Sequence, residues 1–135
     1  MPFQGLSELV LIVSDVEKSA FFYREVVGLS RERGPEDNWA WFWTGTPGKS
    51  PRLGLHEGPL LFEEHSPLPE GKRFGPVHFA LSVPRDRVEA LVAKVRKQSI
   101  KIYGPVTLSW MNAQSWYFFD PDGHLAEFWS PDPEK

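Results

Sequence analysis

One plan is written twice along this chain, and a duplicated plan restricts the fold more than any local motif does. The run Glu8-Leu9-Val10-Leu11-Ile12-Val13 starts on an ionisable residue and leads into a helix signal at Asp15-Val16-Glu17-Lys18-Ser19. Starting 70 residues later, His78-Phe79-Ala80-Leu81-Ser82-Val83 leads into a second signal at Arg85-Asp86-Arg87-Val88. Each half closes on another polar candidate: His56 comes 48 residues after Glu8, and Glu127 comes 49 after His78. Two copies of one unit can bring four such side chains from distant strands to one place, as a metal site between two half-barrels requires.

With 135 residues, 41% of them hydrophobic, the chain has material for one packed core but not for two independent ones. The expected organisation is a single domain over 1–135, with module one at about 5–57, a linker at about 58–74 and module two at about 75–130. Modules of this size are marginal alone and must pack on each other. A net charge of −3, with no run of Lys or Arg longer than two residues, argues against nucleic acid and anionic membrane as partners. Cys is absent, which removes disulfides, thiolate nucleophiles and Cys-type zinc sites. A metal must therefore be held by His, Asp or Glu. The N-terminal Met1-Pro2-Phe3-Gln4-Gly5 has no basic n-region, and no apolar stretch approaches bilayer length, so a cytoplasmic protein is expected.

Residues 6–13 read as a strand rich in Leu and β-branched side chains. Ser14 or Asp15 is a good N-cap, and Val16, Ala20, Tyr23 and Val27 keep helical spacing until Gly28. A short strand at 29–33 ends at Gly34-Pro35, and Trp39-Ala40-Trp41-Phe42-Trp43 alternates with its Trp on one face. A strand at 52–57 closes the module. The Pro-rich 58–73 reads as extended linker. Module two follows with a strand at 75–83 and a helix whose stripe is Val88, Leu91, Val92 and Val95. Ser99 stands at the position of a C′ glycine. Strands at 100–103, 106–110, 115–120 and 124–130 complete it, with Asp120-Pro121-Asp122-Gly123 as a tight turn. The fold class expected is α+β: two tandem βαβββ modules forming paired half-barrel sheets with helices outside.

The segments Val13-Ser14-Asp15-Val16-Glu17-Lys18-Ser19 with Phe22-Tyr23 and Gly28-Leu29, then Val77-His78-Phe79-Ala80-Leu81, then Phe119-Asp120-Pro121-Asp122-Gly123-His124 with Glu127 resemble the vicinal oxygen chelate superfamily. That group includes glyoxalase I, fosfomycin thiol transferases, extradiol dioxygenases and bleomycin-binding proteins. The resemblance covers about residues 6–129. It implies metal ligands on the first and last strands of the modules, at Glu8, His78 and Glu127. His56 is open between ligand, pocket hydrogen-bonder and surface residue: module length points to it, motif alignment to Gly54 two residues earlier. Imidazole and carboxylate donors suit a divalent ion, with Zn, Ni, Mn and Fe all compatible. Its open positions would take a substrate with adjacent oxygens, and Glu8 or Glu127 could double as general base.

Matching Trp43 to Phe119 places Ser115, Tyr117 and Phe119 on the face equivalent to Trp39, Trp41 and Trp43, and because a Ser and a Tyr there face the ligand in fosfomycin enzymes, the resemblance favours the cavity over the outer face for the Trp row. The leading expectation is a metal-dependent enzyme, a lyase, isomerase, transferase or dioxygenase, acting on a small molecule. A glyoxalase would have His and Glu exchanged in module one. A fosfomycin transferase is disfavoured by Glu8 and Val10, where that group has His and Thr, and a dioxygenase would need His56 in place of Glu8. The rival is a metal-free binder of an aromatic drug, of the bleomycin-resistance type. A homodimer with shared sites is implied by the resemblance, and Leu60-Leu61-Phe62 is a candidate interface.

Overall fold

Leu9, Leu11 and Val13 alternate with Glu8, Val10 and Ile12 along β1 (Glu8–Val13), and burial follows the alternation, with Leu11 and Val13 sealed in the core. In the computed structural model, which describes residues 2–69 and 75–134, β1 pairs in parallel with β4 (Arg52–Glu57). β4 pairs antiparallel with β3 (Trp39–Trp43), and β3 with β2 (Ser30–Glu36), so the sheet order is β1-β4-β3-β2. The second half repeats this: β5 (His78–Ser82) runs parallel to β8 (Leu125–Pro131), followed by β7 (Ala113–Phe119) and β6 (Tyr103–Leu108), in the order β5-β8-β7-β6. α1 (Val16–Phe21) and α2 (Arg85–Lys97) each connect the first two strands of their module. The result is the α+β fold of two four-stranded mixed sheets with helices. Among the described residues no helix is long and apolar enough to cross a membrane.

One core serves both modules. Leu11, Tyr23, Ala40, Phe42, Leu53 and Leu55 of the first half join Val88, Val95, Phe118 and Phe128 of the second in a continuous buried cluster. Across the seam the Phe22 and Phe118 rings lie 6.1 Å apart, and those of Tyr23 and Phe79 6.3 Å. Each large apolar side chain removed from water here contributes about 1.5–3 kcal/mol.

A polar clasp follows β7. Asp122 accepts from the Ser14 backbone N–H at 2.9 Å and from the Ser19 hydroxyl at 3.3 Å. The Tyr23 hydroxyl donates to Asp120 at 2.6 Å, and Asp120 also accepts from the backbone N–H of Asp122 and His124. His124, expected to belong simply to the turn, is buried and ties the halves together. Its Nδ1 accepts from Val77 N–H at 3.0 Å, which leaves Nε2–H to donate to the Ile12 carbonyl at 2.8 Å.

Several expectations need adjustment. The helix after β1 is α only to Phe21 and continues as a π-turn, Phe22–Val27, before Gly28 closes it at φ 95°. Apolar spacing could not reveal this, since Phe22, Tyr23, Val26 and Val27 are all buried either way. Strands expected to stop at Gly34-Pro35, and to split at Gly104-Pro105, instead run through as β2 and β6. Both are edge strands with a register shift at that point, where a missing N–H is tolerated. The expected strand end at 109–110 is a 3-10 turn, Ser109–Met111. The linker contains another, Glu63–His65; its end at 70–74 lies outside the described residues. Asp15 caps α1 by accepting from Lys18 N–H, and Ser99 adopts φ 61°, the left-handed conformation expected of its place.

Candidate functional site

Away from the helices, each sheet shows an open face formed by every second residue. In module two that face carries His78, Ala80 and Ser82 of β5, Glu127 and Trp129 of β8, and Tyr117 of β7, which with Leu108, Trp110 and Met111 line a cavity of about 520 Å³. His78 and Glu127 meet there, Nε2 to Oε1, at 3.1 Å. The carboxylate is buried, with 7% of its side chain exposed, whereas the imidazole is half exposed to the cavity.

Both groups are fixed from behind. His78 Nδ1 lies 3.1 Å from the Leu125 carbonyl, which can only accept, so Nδ1 carries the hydrogen. The buried Ser115 hydroxyl donates to Glu127 Oε2 in a short hydrogen bond. In the neutral ring the Nε2 lone pair therefore points at the carboxylate oxygen Oε1. Two electron-rich atoms at that distance need a proton or a cation to join them. Cis ligands of an octahedral ion bound at about 2.1 Å stand roughly 3.0 Å apart, so the pair has the spacing and the donor chemistry of two adjacent metal ligands. Among the described residues no third His, Asp or Glu joins them.

Module one presents a different face. Trp39 and Trp41 stack nearly parallel, centroids 5.3 Å apart, and the His56 ring tilts against Trp39 at 4.1 Å. His56 Nδ1 is 3.2 Å from the Gly58 carbonyl. Arg52 lies over Trp41 at 4.9 Å and Trp43 at 6.0 Å. It donates to Glu8 at 3.2 Å and to both oxygens of Glu32 at 3.2 and 3.3 Å.

Strand register makes the two faces comparable residue by residue. Val10 pairs with Gly54 as Ala80 pairs with Glu127, so Glu8 corresponds to His78 and Gly54 to Glu127, with His56 matching Trp129. The same logic matches Trp39, Trp41 and Trp43 to Ser115, Tyr117 and Phe119. Counting by module length pointed to His56 because module two is longer between these strands. A side chain at Gly54 has no room: a Cβ there would lie 2.6 Å from the Trp41 ring.

Of the residues singled out from sequence, the structure brings together His78, Glu127, Ser115 and Tyr117 on one face, with Phe119 half exposed at the strand end and T-stacked on Tyr103. Trp39, Trp41, Trp43 and His56 share the other face with Glu8, whose carboxylate is engaged by Arg52. Neither Glu8 nor His56 joins the His78–Glu127 pair within the chain. Trp129 was missed, though its position two residues after Glu127 put it on the same strand face. Its Nε1–H is buried without an acceptor among the described residues.

A family model described as the glyoxalase/bleomycin resistance protein/dioxygenase superfamily matches residues 5–128. A glutathione transferase FosA of Serratia marcescens is 27% identical over 124 residues, spanning 92% of this chain and 79% of the relative. The integron cassette protein HFX_CASS4, from the mobile metagenome of the Halifax Harbour sewage outfall, superposes with a TM-score of 0.74 at 29% identity, covering 95% of this chain and 99% of the other. A glyoxalase/dioxygenase from Nostoc punctiforme gives 0.70 at 27% identity, with 97% and 92% covered.

Proposed function

The chain belongs to the glyoxalase/bleomycin resistance protein/dioxygenase superfamily, and from that premise we propose that it is a metal-dependent enzyme acting on a small molecule with two adjacent oxygens. The observation that carries this reading is the His78 Nε2–Glu127 Oε1 pair, 3.1 Å apart at the wall of an open cavity. His78 and Glu127 are the residues that would hold the ion. A divalent ion bound there supplies Lewis acidity to a chelating substrate and stabilises negative charge developing on its oxygen.

The chain's own groups do the rest. Leu125 fixes the tautomer of His78 so that Nε2 stays a donor atom toward the cavity. Ser115 holds Glu127 Oε2, leaving Oε1 as the oxygen able to take a proton from a bound molecule. Leu108, Trp110, Met111 and Trp129 line the cavity with apolar surface, against which an organic molecule can bury its own. Glu8, expected as a ligand, and His56, left open between ligand, pocket hydrogen-bonder and surface residue, would reach this pair only from a second copy of the chain. The reading includes a homodimer in which the Trp face of module one covers the open face of the partner's module two.

The Trp39–Trp41 stack favours a second reading, a metal-free protein that captures a flat aromatic molecule on module one. Elemental analysis of protein prepared without chelator separates the two. The enzyme reading expects about one divalent ion per chain, lost in His78→Ala and Glu127→Gln while far-UV circular dichroism is unchanged. Metal-free protein that still binds a planar aromatic ligand as tightly as untreated protein overturns it in favour of capture.

A further inference from the structure

We propose that Arg52 is a positioning residue that competes with a divalent ion for Glu8, so that module one carries a fixed cation of its own and leaves metal binding to module two. This rests on the metal reading of the His78–Glu127 pair.

Arg52 faces Glu8 directly across the parallel β1–β4 pairing, with both side chains on the open face. Its Nη2 is 3.2 Å from Glu8 Oε1, and its Nη1 bonds both oxygens of Glu32. The guanidinium rests 4.9 Å above Trp41, which lies flat on Gly54 and cannot sink further. Two carboxylates and a stacked ring thus hold it from three sides, with 30% of the Arg52 side chain and 40% of that of Glu8 left exposed. A guanidinium stays protonated at any pH the protein meets. A divalent ion bound by Glu8 would have to sit beside this permanent charge or evict it.

Module two lacks the competitor. The register counterpart of Arg52 is Leu125, which is apolar and offers its carbonyl to His78. The duplicated positions have diverged in opposite senses: His78 is set up to bind a cation, and Glu8 already has one. Glu8 and Glu32 then orient Arg52 on the Trp row.

Calorimetric titration of Ni²⁺ into chelator-stripped protein tests this, with circular dichroism and melting temperature reporting that each variant is folded. Arg52→Gln is expected to bind Ni²⁺ about tenfold tighter than wild type by removing the competing charge. Arg52→Lys, which keeps the charge, stays within about threefold of wild type. Glu8→Gln leaves Ni²⁺ affinity within about threefold alone but cancels the gain in the Arg52→Gln background, a coupling that loss of packing does not produce. Folded Arg52→Gln with wild-type affinity overturns the proposal, as does Glu8→Gln weakening Ni²⁺ as much as His78→Ala. Binding that depends on His78 and ignores Arg52 sinks the proposal alone. If neither wild type nor Arg52→Gln binds Ni²⁺, the metal reading fails and the proposal with it.

Discussion

Ser115 is wholly buried, and its hydroxyl donates to the carboxylate of Glu127. Replacing it with Ala leaves the buried Glu127 Oε2 without its donor. We expect Ser115→Ala to cost about 1.5–3 kcal/mol in urea unfolding. Calorimetry should also show metal affinity reduced by about tenfold or more, as for other residues that orient a ligand from behind. At this scale the sequence was informative where a polar residue interrupted an apolar strand. Glu127 stood out because an unpaired buried carboxylate is expensive, and His78 because it opens the second module's first strand as Glu8 opens the first's. The pairing of Glu8 with Arg52 was not legible, because it depends on which residues of two strands 44 positions apart lie opposite each other. Periodicity assigns a face to a residue but not a neighbour on it.

Strand alternation, the Gly28 stop and the left-handed turn at Ser99 were readable element by element, because each follows from local sterics. Ser99 holds φ 61° at the end of α2, where its Cβ is crowded and glycine is not penalised. Ser99→Gly is therefore expected to raise stability by about 0.5 kcal/mol, seen as a higher urea midpoint at unchanged slope. The edge strands were misjudged for a related reason. Gly-Pro reads as a break when pairing on both sides is assumed, and only the assembled sheet shows that β2 and β6 each pair on one side. Likewise the π-turn after Phe21 is hidden in sequence, because it changes hydrogen bonding without moving an apolar residue out of the core.

For the whole molecule, the duplication predicted the architecture, while the seam between the halves came only from coordinates. Tyr23 shows how that seam responds to pH. Burial, then the charge of Asp120 and the hydrogen bond to it, hold the Tyr23 hydroxyl well above the usual tyrosine range. The neutral form is thus favoured by folding, and its contribution is complete below the unfolded value of about 10. It is lost as pH rises from there toward the folded value. Urea melts should show wild-type stability falling above pH about 10, with a shallower fall in Tyr23→Phe. At neutral pH that variant should be weaker by about 1.5–3 kcal/mol, since Asp120 Oδ2 loses the donor that Tyr23 supplies. The flat seating of Trp41 on Gly54 has a consequence of another kind. A carboxylate introduced at Gly54, the register counterpart of Glu127, would collide with the indole, so that single substitution is expected to be costly. A smaller side chain at position 41 has to come first, at the loss of the stack with Trp39, so the order in which the two changes can be made is set by the packing.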